Sequence, residues 1–193
     1  MIPRSFPLII FYGTKDVQGH DNFMIFCNIW EGYMPEKNQR CVASFKRLMQ
    51  IKDTYLMLPN SYYDQAIQEV ENVDFWKIYS DRFIQFKADF VRFHYACIHP
   101  DLFYADTDVL FGKLFDTDFN KPMPYFGQWG CGAEHHLFYV NGACSYFKRM
   151  MKYIEQFDPK KIFLPILLQH FFRQNSYNRI DHETFSHQKT GRY

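Results

Sequence analysis

Leu102-Phe103-Tyr104-Ala105-Asp106-Thr107-Asp108 is an apolar run closed by two carboxylates, and its reading decides the fold. A short apolar run bounded by polar residues reads as a buried strand, which puts Asp106 and Asp108 at or just beyond its carboxyl end. In open α/β sheets, ligands bind in the crevice outside the carboxyl ends of strands. Carboxylates at i and i+2, with a small residue between them, can converge on one hard divalent cation. Such a cation keeps its remaining positions for water and phosphate oxygens. The chemistry suggested is a metal-bridged diphosphate, as in a nucleotide-sugar.

Context separates this string from its second copy. Asp116-Thr117-Asp118 follows Gly112-Lys113-Leu114-Phe115 and precedes Asn120-Lys121-Pro122, so it reads as a solvated turn. The first copy has a strand behind it and a helix before that. In that helix Phe83, Phe86, Phe90, Phe93 and Cys97 recur at three- and four-residue steps, an apolar stripe facing a sheet. Asp89 and Arg92, also three apart, share a neighbouring face. His99-Pro100-Asp101 ends the helix.

Further out, Leu8–Tyr12, Met24–Trp30, Tyr55–Leu58 and Leu137–Val140 read as strands. Helices are expected at about Glu36–Lys52, with Val42, Phe45, Leu48 and Met49 inward, and at Ser145–Phe157 and Lys161–Gln174, with Pro165 in the last one's first turn. Strands alternating with helices predict βα units and a mostly parallel sheet, an α/β fold. The tail from Asn175 onward is polar and aromatic without clear period, and a chain end of that kind is expected to be mobile until a ligand orders it.

Composition sets the outer limits. At 193 residues the chain reads as one domain, 1–193, or as a domain excised from a longer chain. Aromatics make up 20%, which argues for a well-packed globule and against disorder. A net charge of +1 gives no reason to expect nucleic-acid binding or a polybasic membrane patch. Five scattered cysteines show no zinc-type spacing and read as reduced thiols. No apolar stretch reaches the ~18 residues of a membrane span, and Met1–Tyr12 makes a poor signal peptide. A soluble, cytoplasmic protein is the expectation.

Two stretches together resemble a known family. Lys87-Ala88-Asp89-Phe90-Val91-Arg92 and Leu102-Phe103-Tyr104-Ala105-Asp106-Thr107-Asp108-Val109 resemble the S-D-x-x-R … I-Y-x-D-x-D signature of DXD-motif glycosyltransferases. These include capsular-polysaccharide and mannosyl-transferring enzymes and, more distantly, the glucosylating domains of large clostridial toxins. Met24 to Gly32 is similar to the family's I-I-H-x-I-W-x-G strand, and Ser44-Phe45-Lys46 to its S-W-K helix. The likeness spans roughly Phe23 to Phe119, with a weaker echo from Glu134 to Tyr153. Cys27 stands where the family usually has His, Ile98-His99-Pro100-Asp101 replaces a glycine pair, and His187 loosely matches a C-terminal His near the metal.

The resemblance implies a Rossmann-like α/β/α sandwich, the GT-A fold, and transfer of a sugar from a nucleoside-diphosphate sugar, UDP-linked, to a glycan or other hydroxyl acceptor. It further implies retention of anomeric configuration and Mn²⁺ or Mg²⁺ as cofactor. Asp108 would bind the metal directly, Asp106 through water and on ribose or sugar hydroxyls, and His187 from the tail. Trp30 would lie flat on the nucleobase, and otherwise reads as a core tryptophan. Asp89 and Arg92 would hold ribose, uracil or donor sugar, and otherwise form a surface ion pair. Tyr104 reads as core or as a hydroxyl beside the nucleotide. Glu134 and His135, in a polar cluster with His136 just before a strand, read as loop or as catalytic groups touching donor or acceptor. His94 and His99 lack a Glu at zincin spacing and read as structural. A metal-dependent phosphohydrolase, or an inactive nucleotide-sugar or glycan-binding module, fits the same motif.

Overall fold

The computed structural model describes residues 12–15, 21–30, 33–48, 56–58, 61–111, 119–129, 132–180 and 185–187. In chain order they form β1 (Tyr12–Lys15), β2 (Asp21–Ile29), α1 (Glu36–Leu48), β3 (Leu56–Leu58), α2 (Ser61–Ala66), α3 (Val73–Ser80), α4 (Ile84–Ile98), β4 (Leu102–Ala105) and β5 (Val109–Phe111). These are followed by β6 (Tyr125–Trp129), β7 (Gly132–Tyr139), α5 (Cys144–Ile154), α6 (Leu164–Gln174), β8 (Asn178–Ile180) and β9 (Phe185–His187). No helix among the described residues is long and apolar enough to cross a membrane.

Seven strands make one mixed sheet in the order β1-β2-β4-β7-β6-β8, with β3 also on β2. β3 and β4 run parallel to β2, and β8 runs parallel to β6. β7 runs antiparallel to both β4 and β6, and β1 antiparallel to β2. Five strands therefore share one direction, and β1 and β7 oppose them. The chain is a mixed α/β protein, as its alternation of elements predicts.

All four residues of β4 are buried, because apolar layers cover both faces of the sheet. Leu102 and Tyr104 belong to a large aromatic core with Trp76, Phe90, Phe93, Phe138 and Phe147, built with α3, α4, α5 and α6. Phe103 and Ala105 point the other way, into a smaller cluster with Leu137, Tyr139 and Val109. A strand buried on both faces reads as a continuous apolar run rather than an alternating one. That is why β4 was legible.

The differences from the sequence reading are local. The strand expected at Leu8–Tyr12 lies outside the described residues except for Tyr12, which opens β1. Phe90, Phe93 and Cys97 are buried as the stripe on α4 predicts, but Phe83 is the residue before the helix and stands 64% exposed. The buried face of α1 carries Asn38, Cys41 and Ser44, whereas Val42 is half-buried. β6 was not anticipated, and β7 begins at Gly132, well before the expected Leu137. The tail contributes β8 and β9, two short strands whose place is set by pairing rather than by periodicity. Asp116-Thr117-Asp118 lies outside the described residues.

Candidate functional site

β2 and β4 are neighbouring parallel strands, with Cys27 opposite Tyr104. Their carboxyl ends therefore lie side by side, and the residues that follow them, Trp30 and Asp106-Thr107-Asp108, emerge at the same edge. The Asn28 side-chain amide donates to the Ala105 carbonyl across this edge. Trp30 is half-buried, and its indole N–H has no hydrogen-bond partner among the described residues. A Trp N–H normally finds a partner when buried.

The turn after β4 is held from two sides. The Asp106 N–H donates to the His136 carbonyl at 2.7 Å, and the Val109 N–H donates to the Asp106 carbonyl at 3.2 Å. From α1, the Asn38 amide donates to the Thr107 carbonyl at 3.3 Å and to its hydroxyl at 3.2 Å. Ser44 Oγ accepts from the Phe111 N–H at 3.0 Å. Asn38 and Ser44 are buried polar groups that bond this turn and its strand, Ser44 also donating to the Cys41 carbonyl within α1, so α1 helps to fix where the carboxylates sit. Sequence reasoning had no means of finding the Asn38 bond, because its partners are 69 residues apart.

Behind the turn lies a buried ionic network. The Arg92 guanidinium reaches Asp89 Oδ1 at 3.2 Å and Asp106 Oδ1 at 3.1 Å, and donates to the His135 carbonyl at 3.3 Å. Asp89 and Arg92 are both buried, which removes the surface ion-pair reading. Tyr79 donates its hydroxyl to Asp89 Oδ2 at 3.2 Å. Tyr104 is a core residue: its ring stacks on Phe138, and its hydroxyl donates to Asp106. The Arg92 guanidinium also lies over that ring, 4.9 Å from the centroid.

Glu134, His135 and His136 lie within β7 rather than in a loop before it. Their residue types are polar, but β7 runs antiparallel to β4, and this brings them to the end of the sheet that carries the aspartates. His135 is buried against the Phe93 ring, with Nε2 3.7 Å from Asp89 Oδ1. His136 bridges two carboxylates, with Nδ1 3.3 Å from Asp106 Oδ2 and Nε2 2.7 Å from Glu134 Oε2.

Electrostatics follow from these contacts. Burial pushes the Asp89 carboxyl up to about 6, against the pull of Arg92. Burial acts on Asp106 in the same sense, but Arg92, His136 and the Tyr104 hydroxyl outweigh it and hold that carboxyl well below its ordinary range. Burial disfavours charged His136, yet the hydrogen bonds it donates to Asp106 and Glu134 carry it up to about 9. Cys27, at the family's His position, is buried, and burial raises its thiol far above the ordinary value, so it is an inert packing residue. Cys27, Cys41, Cys97 and Cys144 are all free thiols.

The raised His136 value sets a pH dependence. Because it lies above the ordinary 6.5, the stability from charged His136 is fully present below that pH and is lost as pH rises through about 9. The thermal midpoint of metal-free protein should therefore fall between about pH 7 and pH 9.5. His136→Gln should lower the midpoint at neutral pH and flatten that fall. A variant melting with the wild-type profile would remove His136 from the network.

The oxygen donors fit a hard divalent cation better than the histidine cluster does. Glu134, His135 and His136 bring ligand-type atoms within 4.8 Å of one another. Both His136 nitrogens, however, face carboxylates, and the ring is held in its charged form, whereas ligation needs a neutral imidazole. Asp106 is already held by Arg92, His136 and Tyr104, which suits contact through water. Asp108, half-buried at the strand-end turn, would supply the carboxylate for direct contact. β9 pairs antiparallel with β5, and His187 stands opposite Val109, the residue after Asp108. The backbone of the expected C-terminal His thus lies beside the motif in a strand, not in an unstructured tail.

No family model matches this chain, and no curated protein does. The likeness to DXD-motif glycosyltransferases therefore rests on the motif residues alone.

Proposed function

We propose that this chain is a metal-dependent glycosyltransferase of GT-A type, acting on a UDP-linked sugar and a glycan or other hydroxyl acceptor. One observation carries the reading. Trp30, Asp106 and Asp108 follow the carboxyl ends of two adjacent parallel strands, the position where open α/β sheets bind nucleotides. Trp30, half-buried, would offer a ring face to a nucleobase. Asp108, with Asp106 behind it through water, would hold Mn²⁺ or Mg²⁺, which when bound neutralises charge on the departing diphosphate.

The remaining residues act through these. Arg92 spends its guanidinium on Asp89 and Asp106, so its part is to keep Asp106 ionised and aimed. His136 does the same from β7, on Asp106 Oδ2. Glu134, at the open side of His136, and the buried His135 stand beside the aspartates, where an acceptor group would approach. The backbone of His187 lies opposite Val109 in the paired strand β9.

The test is release of nucleoside diphosphate from a panel of nucleotide-sugars, with and without Mn²⁺ and with candidate acceptors. Metal-dependent release coupled to a glycosylated product is expected. Release without product from any acceptor would favour hydrolysis, and neither release nor UDP binding would leave the reading without support. Trp30→Ala should weaken UDP binding by about 1–3 kcal/mol, the usual worth of base stacking on an aromatic ring. Calorimetric titration of the folded variant measures it, and unchanged affinity would return Trp30 to a packing role.

A further inference from the structure

β2 is the strand at which the order of the sheet reverses. The chain leaves β2 for β3 on one side of it and returns to β4 on the other. A reversal of this kind opens a crevice outside the carboxyl ends of the strands concerned. β2 pairs with β4 as far as Cys27 opposite Tyr104, but with β3 as far as Ile29 opposite Leu58. Beyond Cys27 and Tyr104, side chains replace the backbone ladder between β2 and β4.

Two buried asparagines do this, one on each side of Asp106. The Asn28 amide donates to the Ala105 carbonyl, and the Asn38 amide donates to the Thr107 carbonyl and hydroxyl. The carbonyls immediately before and after Asp106 are therefore both held by side-chain amides. Asn28 keeps its bond although its Oδ1 is buried without a partner among the described residues. An apolar residue would pack there and leave no such atom, so packing does not account for an asparagine at this position. Holding Ala105 does.

The turn is gripped from both faces of the sheet. Arg92, on α4, holds the Asp106 carboxylate from the face that carries Leu102 and Tyr104. α1 comes from the other face: its Ser44 bonds Phe111, which belongs to the cluster of Phe103 and Ala105. Between these grips the Ala105 and Thr107 carbonyls are kept from swinging into the crevice. What the turn presents to a cation is then carboxylate, not main-chain oxygen.

This bears on which cation fits. Ca²⁺ takes about six to eight oxygens in flexible geometry, main-chain carbonyls commonly among them, whereas Mg²⁺ demands a near-octahedral set and keeps several waters. Mn²⁺ is also octahedral with oxygen ligands. A stiff turn with its carbonyls held away favours the smaller ions.

We propose that Asn28 and Asn38 are positioning residues that hold the Asp106–Asp108 turn in a form selective for a small octahedral cation, Mn²⁺ or Mg²⁺, over Ca²⁺. This rests on the proposed metal role of Asp106 and Asp108 and adds the residues that set which ion binds.

Titration of Mn²⁺ into the full chain without donor tests it, with electron paramagnetic resonance counting free Mn²⁺, Ca²⁺ read by competition, and melting of the metal-free protein alongside. The wild type should bind Mn²⁺ more tightly than Ca²⁺, and Asp108→Asn should weaken both. Asn38→Leu, close in size but without a donor, should lower Mn²⁺ affinity about tenfold or more, the usual effect of losing a group that orients a metal ligand. Its Ca²⁺ affinity should hold or rise, so the ratio of the two affinities shrinks. Asn28→Leu should act in the same direction from β2. Thr107→Val, which removes only the hydroxyl acceptor of Asn38, should shrink the ratio severalfold. Asn72→Ala removes the α3 N-cap, whose bond is to the Phe75 N–H; it should melt lower and keep the wild-type ratio. Affinities for both ions that stay unchanged, or fall by the same factor, in folded Asn38→Leu overturn the proposal and leave the metal assignment standing. Should that variant not fold, Thr107→Val decides on the same criterion. A wild type that binds Ca²⁺ as tightly as Mn²⁺ also overturns the proposal alone. One that binds no Mn²⁺ overturns the proposal and the metal assignment together.

Discussion

Arg92→Met should destabilise the protein by about 3–5 kcal/mol, the usual cost of removing one partner from a buried ionic group. Arg92 is buried, and its guanidinium lies between Asp89 and Asp106, both inside the domain. Methionine fills most of the volume and supplies no charge, so two neighbouring carboxylates are left facing each other. Asp89 already sits at about 6 with the cation in place, and without it that carboxyl takes up a proton at neutral pH. Arg92→Lys should recover only part of the loss, because an ammonium lacks the planar fork that spans two acceptors. Combining Arg92→Met with Asp106→Asn should restore stability relative to the single change, since it removes a stranded charge. Urea unfolding of the three variants measures this. A loss below about 1 kcal/mol for Arg92→Met would mean that water, not Arg92, solvates these carboxylates.

The second large effect is on turnover. Asp108→Asn should lower metal-dependent transfer by on the order of 10²–10³-fold, comparable to removing one preorganised group from a site of developing charge. The amide keeps the size of the carboxylate, and Asp108 lies in a half-buried turn rather than the core, so folding should survive. Loss should be greatest at limiting Mn²⁺ and partly relieved by excess metal. Asp118→Asn, in the second copy of the string, should be nearly silent. Wild-type activity of Asp108→Asn at limiting metal would end the assignment of Asp108 to the cation.

The site was legible where its signal is local. β4 announces itself as an apolar run closed by acids, and the α4 stripe carries Asp89 and Arg92 at fixed spacing. What periodicity cannot register is a polar residue buried by a partner far along the chain. Glu134, His135 and His136 look like a loop until β7 sets them beside Asp106, thirty residues earlier in sequence. Asn38 and Ser44 look like polar positions on a helix whose apolar residues should face inward, yet they turn in to grip the strand-end turn. Phe83 continues the α4 stripe on paper, but it precedes the first helical turn, where helical spacing no longer says which way a side chain points. β8 and β9 are three-residue strands that exist because an edge was waiting for them.

The pairing of β5 with β9 has a consequence for how the protein is made. Val109 emerges from the ribosome 78 residues before its partner His187. Synthesis runs at about 5–20 residues per second, so the strand after the aspartates waits several seconds for its described partner. The sheet from β2 to β7 can assemble in that interval, but the strand that flanks Asp108 is completed only when Phe185–His187 arrives. Nascent chains stalled before Phe185 would then carry a formed sheet and an unfinished site, and donor binding would appear only with the last segment.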